Sequence, residues 1–185
     1  LLGGDTVSTD GPMIVSATLI GAVPSGKMVR RDGAQVGDDV WVTGNLGDAK
    51  LGCDIALNTV ITPLPKPDDS WAFETAYWRP EIQLCLRKTL REKATSAADV
   101  SDGIMADIGH ICRASGVGVS LNFDALPLSN GAETWAEGQG DVLQARQALL
   151  SFGDDYQIVF TSNPENRQSW FDIARKMKLK LSLIG

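Results

Sequence analysis

The chain has one histidine and three cysteines, and each shortage narrows what it can do. His110 stands alone in a helical stretch beside Ile111 and reads as a satisfied structural residue. Neither a Ser-His-Asp nor a Cys-His arrangement can be built around it, which disfavours nucleophilic catalysis by a triad. Cys53, Cys85 and Cys112 form no CxxC or Cys/His pattern, so they read as buried free thiols in a reducing compartment. No apolar run approaches the ~18 residues of a membrane span and no signal peptide is legible, so the expected setting is cytoplasmic, without a membrane partner. Positive charge is scarce too: 17 Lys and Arg against 23 Asp and Glu give a net charge of -6. That argues against a general nucleic-acid binder but not against a nucleotide, whose metal offsets nearby carboxylates. The Gly47 to Lys50 order and spacing are not those of a P-loop.

What is present suits a soluble globular protein of one large or two small domains: 185 residues, 43% hydrophobic and 22% charged. The opening Leu1-Leu-Gly-Gly and the closing Leu-Ser-Leu-Ile-Gly185 read as cuts from a longer protein. Strand patterns fall at residues 13–23, in the stretch 36–44, at 116–123, before Thr161 and at 179–184. Helical patterns run from Asn45 to about Asn58, from Arg79-Pro80-Glu81 through Leu90, from the 99–103 turn onward, over 141–150 and over 164–178. Residues 62–70, with Pro63, Pro65 and Pro67, read as a loop, and Trp71, Tyr77 and Trp78 as core or loop-packing aromatics. On the last helix Trp170, Phe171, Ala174 and Met177 form the apolar side. The alternation predicts an α/β (mixed α+β) fold around a sheet.

The stretch Asp99-Val-Ser-Asp-Gly103 is the most chemically loaded. Two carboxylates at one turn, about 4 Å apart at an effective dielectric of roughly 20, repel by about 4 kcal/mol. A hard divalent cation such as Mg²⁺ removes that cost, and a helix start favours phosphate oxygens. The residues therefore suggest a metal–phosphate corner. The alternative is an ordinary helix start capped by Asp102 or Ser101. Gly4 and Asp5 in Gly-Gly-Asp-Thr offer backbone approach and a third candidate ligand, or a simple turn. Arg31 suits a phosphate, or a solvated basic turn. Asp154 and Asp155 precede a strand, where they meet a substrate or face solvent.

Taken in order, several stretches resemble the thiamine-monophosphate kinase family. They are Gly-Gly-Asp-Thr at 3–6, Arg-Asp-Gly-Ala at 31–34, the run at 37–48, Tyr-Trp-Arg-Pro at 77–80, the run at 99–110 and Gly-Asp-Asp-Tyr at 153–156. The resemblance implies transfer of the γ-phosphoryl group of ATP to thiamine monophosphate. It implies the fold shared with aminoimidazole ribonucleotide synthetase and selenophosphate synthetase, with residues 1–23 ending an N-terminal domain that makes a homodimer and 24–185 forming an incomplete C-terminal α/β domain. Gly4 and Asp5 would meet ATP and Mg²⁺, Arg31 and Ser101 ATP, and Asp99 and Asp102 Mg²⁺. Asp154, where the family pattern has Glu, would meet the substrate one methylene short. The acceptor is already a phosphate anion, so no general base is implied. The alternatives are another ATP-dependent kinase or synthetase of the same superfamily, or a nucleotide-binding fragment that is weakly active or inactive alone.

Overall fold

In the computed structural model, which describes residues 2–59 and 65–185, strand alternation sorts the apolar residues onto two faces of one sheet. The strands are β1 (Asp39–Thr43), β2 (Ala94–Asp99), β3 (Ile158–Ser162) and β4 (Leu181–Leu183), antiparallel in the order β2-β3-β1-β4. Register sets Trp41 opposite Phe160 and Val42 opposite Val159. Because side chains alternate along a strand, Val40, Val42 and Val159 share one face and Trp41 and Phe160 the other.

Both faces are covered. The valine face meets Ile104, Ile108 and Ile111 of α4 (Ile104–Ser115), Leu51 of α1 (Asp48–Ala56), Ala132 of α5 (Asn130–Glu137) and Leu149 of α6 (Val142–Leu150). The aromatic face meets Leu90 of α3 (Arg87–Lys93) and Trp170 of α7 (Arg167–Met177). Trp41 stacks on Phe160 with centroids 6.4 Å apart, and Trp170 donates its indole N–H to Ser162 Oγ at 2.9 Å. Such fully buried side chains each contribute about 2–3 kcal/mol, provided their polar atoms find partners. Among the described residues no helix is long and apolar enough to cross a membrane.

Several local expectations are overturned. Residues 13–23 pair with no described strand, and Met13, Ile14, Val15, Leu19 and Ile20 stand exposed. β-Branched residues favour a strand only where a neighbouring strand and a buried face receive them. Residues 117–122 form no ladder either. They are tied to the sheet by the Asn122 N–H, which donates to Ile184 O (2.7 Å), and Gly116 and Gly118 weaken the extended run. Of the expected loop at 62–70, residues 65–66 are irregular but residues 67–70 open α2 (Pro67–Trp78): Pro67 fits a first helical turn, where Asp68 and Asp69 are also favourable. Residues 62–64 of that stretch lie outside the described residues. Pro80 ends that helix rather than starting the next. The residue before a proline is driven out of the helical region, and Arg79 sits at φ -145°, ψ 64°. Helical turns resume at Leu84. Trp71 and Trp78 ride α2 at 71% and 66% exposure, so they are not core. Phe171 and Met177 of α7 are also partly open, Phe171 meeting Trp41 edge-on at 5.1 Å, while Trp170 and Ile173 pack that helix on the sheet. The cysteines are free, but Cys85 is exposed and the other two are half-buried.

Candidate functional site: an acidic corner clasped by a second loop

Beyond Asp99 the backbone keeps pairing after the regular sheet ends. The Val100 N–H donates to Gln157 O (2.8 Å), the Tyr156 N–H to Val100 O (2.8 Å) and the Asp154 N–H to Ser101 O (3.0 Å). This clasp lays the Gly153–Gln157 segment against the Asp99–Asp102 turn. Gly153 permits it: a Cβ there would lie 1.9 Å from Ser101 O and 3.1 Å from Asp102 Cα. Asp154 and Tyr156 take φ values of +63° and +49°, a region L-residues rarely occupy and one associated with functional sites.

Asp99, Ser101, Asp102 and Asp154 are thus brought together. Arg31 joins them through a 3.5 Å ion pair with Asp99, both side chains being about half exposed. A pair that open adds little stability and is readily exchanged for a ligand. Ser115 at the end of α4 donates its hydroxyl to Arg31 O (3.0 Å), which fixes the backbone carrying that guanidinium. Gly4 and Asp5 are not brought in. They lie on the exposed N-terminal stretch, where Asp5 Oδ1 accepts only its neighbour Thr6 N–H at 2.8 Å.

The capping expectation fails in an informative way. Gly103 holds the N-cap position of α4, and neither Asp102 nor Ser101 caps with its side chain. Asp107, fully buried, reaches back instead: its Oδ2 accepts the N–H groups of Ser101 (2.9 Å) and Asp102 (3.0 Å). The Asp102 carboxylate is thereby left free of capping work, and Asp99 keeps only its open ion pair with Arg31. A signal for Asp107 was available, since it falls in the 104, 107, 108, 111 stripe that α4 buries. A carboxylate in an apolar stripe must be spoken for.

Ligand atoms of Asp102, Asp107 and His110 lie within 4.8 Å of one another. The structure gives two of these groups other work. Asp107 holds the turn, and His110 Nδ1 lies 2.9 Å from Arg113 Nη2, which can only donate, so Nδ1 is the acceptor. Asp102 and Asp99, the latter held only by its exposed pair with Arg31, offer carboxylate oxygens, the donor set that Mg²⁺ prefers. The two residues named for Mg²⁺ in this corner therefore fit the ion.

Asp155 also escaped the sequence reading, which did not separate it from Asp154. Along residues 154–157 the side chains alternate. Tyr156 lies on the side of Asp99, whereas Asp155 and Gln157 line a cavity of about 440 Å³ with Asp48, Gln83, Lys180 and Trp71. Both Asp155 oxygens accept the Gly47 N–H (2.9 and 3.0 Å) at the start of α1. Burial pushes the Asp155 carboxyl up to about 7; the Gly47 hydrogen bond opposes this and the Asp48 charge adds to it. Burial raises Asp48 as well, against a hydrogen bond from Ser129 Oγ at 2.6 Å. Tyr156 is raised chiefly by the charge of Asp154, then by burial and a hydrogen bond to Asp154, with Asp99 and Asp102 adding to the effect.

Comparison with known proteins identifies the family. A thiamine-monophosphate kinase of Caulobacter vibrioides is 41% identical over 185 residues, covering 100% of this chain and 51% of that protein. The crystal structure of thiamine-monophosphate kinase from Stenotrophomonas maltophilia superposes with a TM-score of 0.77 at 35% identity, over 88% of this chain and 51% of that one. AaThiL complexed with AMPPCP and TMP gives a TM-score of 0.70 at 31% identity, over 85% of this chain and 47% of that one. The chain spans about half the length of the curated relatives it matches. Residues 35–185, which hold the whole sheet and the clasped acidic turn, match the family described as AIR synthase related protein, C-terminal domain, and the chain belongs to that family.

Proposed function

We propose that this chain is part of a thiamine-monophosphate kinase that moves the γ-phosphoryl group of ATP onto the phosphate of thiamine monophosphate. One observation carries the reading: the clasp gathers Asp99, Ser101, Asp102, Asp154 and Arg31 at one corner. A kinase of that name is 41% identical over the whole of this chain, and AaThiL was solved with AMPPCP and TMP. Phosphoryl transfer needs positioning and charge neutralisation rather than a covalent nucleophile. In this reading Asp99 and Asp102 hold Mg²⁺, which would neutralise the phosphate charge. Arg31 leaves Asp99 for the nucleotide phosphates, to which a guanidinium binds through two parallel hydrogen bonds. Ser101 offers its hydroxyl to ATP. Asp154 holds the acceptor, its shorter side chain presented by a backbone pinned to Ser101. No group takes a proton from the acceptor, which is an anion already. Gly4 and Asp5 would complete the ATP and Mg²⁺ contacts once the N-terminal stretch folds back. The family resemblance further supports a homodimer of the full-length protein and a cytoplasmic setting.

Calorimetric titration of the chain with AMPPCP, with and without Mg²⁺, tests this. Binding that chelator abolishes, and that Asp102→Asn weakens at least tenfold in a folded protein, is the expected result. Unchanged binding by folded Asp102→Asn reduces Asp102 to a bystander. No binding by the folded chain removes the nucleotide site from these residues.

A further inference from the structure

The cavity of about 440 Å³ behind the clasp does none of the work assigned to the acidic corner. Its volume lies within the roughly 300–1,000 Å³ of small-molecule sites. One wall is polar and deeply buried: Asp155, Gln157 and Gln83 keep only 7%, 8% and 5% of their surface. The hydrogen bonds along that wall do not close. Gln157 Oε1 accepts both the Thr43 hydroxyl (2.8 Å) and Gln83 Nε2 (3.4 Å). Gln83 Oε1 accepts no hydrogen bond among the described residues. The Asp155 carboxyl accepts backbone N–H groups at the start of α1, and no cation among the described residues pairs with it. The charges that reach it are Asp48 from α1 and Asp154 from its own segment, and both are acids. Lys180 spends its ammonium on Asn45 Oδ1 and Leu128 O (3.0 Å) and its charge on Asp48. Arg79, Lys178 and Glu81 stand exposed at the rim. The rest of the lining is apolar, with Ala76, Leu179 and the open Trp71 ring.

Two carboxyls and an unfilled amide oxygen line one cavity and lack a cationic donor, and a primary ammonium brings three N–H donors and the missing charge. A cation held there trades places with the proton on Asp155, so the wall gains no net charge. A neutral alcohol brings one donor and no charge, and an anion meets Asp48. The apolar lining suits a carbon chain, and the Trp71 ring adds attraction for a cation. We propose that this cavity is a second ligand site, for the primary ammonium group of an aliphatic amine, which Asp155, Asp48 and Gln83 Oε1 hold while Trp71, Ala76 and Leu179 cover its carbon chain. Nothing in this assignment depends on ATP or its acceptor. Because Asp154 and Asp155 are neighbours, an amine bound to one braces from behind the segment that presents the other.

Butylammonium, butanol and butyrate differ at one end only, and calorimetric titration of the 185-residue chain with each is the test. At pH 8 butylammonium is expected to bind about tenfold more tightly than butanol, with no binding by butyrate. With the Asp155 carboxyl titrating near 7, its proton must leave before the amine binds at lower pH. Affinity for butylammonium should therefore fall about tenfold from pH 8 to pH 6, with about 0.9 proton released per amine bound at pH 6. Phosphate and MES differ in ionisation enthalpy, so the difference in heat between the two buffers counts those protons. Asp155→Asn, whose side-chain oxygen still accepts the Gly47 N–H, should weaken butylammonium at pH 8 about tenfold and remove the pH dependence. Trp71→Ala, at an exposed position that leaves the fold intact, should weaken it about threefold without changing the proton count. Equal affinity for butylammonium and butanol, binding at pH 6 without proton release, or undiminished binding by Asp155→Asn overturns the assignment. So does a folded chain that gives no binding heat with butylammonium.

Discussion

Replacing Asp155 with Asn should change how stability depends on pH, and the size can be worked from the site. In the folded chain the Asp155 carboxyl titrates near 7, against 3.8 for an ordinary Asp. Between these values the native state holds a proton that the unfolded chain has released, so stability falls as pH rises. The slope is about 1.4 kcal/mol per pH unit, or about 4 kcal/mol over the full interval. Above pH 7 the cost is complete and the slope from this group vanishes. Asn cannot ionise, yet its side-chain oxygen can still accept the Gly47 N–H. The variant should therefore gain on the wild type by about 3 kcal/mol between pH 5 and pH 8. Urea unfolding followed by the fluorescence of the buried Trp41 and Trp170 at the two pH values measures this. Taking the difference between the proteins largely removes other titrating groups, Asp48 included. A difference constant to within about 0.5 kcal/mol, or one that shrinks as pH rises, refutes the picture of a buried carboxyl held neutral.

Gly153→Ala must push Ser101 and Asp102 away, and should cost about 2–3 kcal/mol in urea unfolding while weakening Mg²⁺-dependent AMPPCP binding more than Asp154→Ala does. Asp107→Ala strands two backbone N–H groups and should cost about 3 kcal/mol, with Asp107→Asn recovering part of it through its amide oxygen. Trp170→Phe keeps most of the packing on the aromatic face but leaves Ser162 Oγ without the indole donor, so urea unfolding should show a loss of about 1–2 kcal/mol.

The parts of the fold legible in the sequence were those whose local pattern and final environment agree. β1, β3, α1, α4, α6 and α7 lie close to where periodicity put them, because each has a partner that receives its apolar face. Residues 13–23 have strand composition and no described partner, and composition cannot supply one. Proline misled in both directions: Pro67 opens a helix and Pro80 closes it, and the outcome depends on the residues C-terminal to each. At the site, the motif residues on the Asp99–Asp102 turn and Asp154 came together as their order suggested. What periodicity alone did not yield was the wiring behind them. Asp107 and Asp155 act on backbone N–H groups from other turns, and such contacts are set by how the turns cross in space.

The side chains of Asp154 and Asp155 are chemically identical, and only their place along the clasped segment tells them apart. One meets the open acidic corner; the other is buried over the start of α1 and titrates near neutrality. A slip of one residue in the clasp would exchange their environments. The bare Cα of Gly153 against Ser101 O is what forbids that slip, since either neighbour would bring a Cβ into a carbonyl. An atom's absence at one position thus decides which of two equal acids faces the open corner and which is buried.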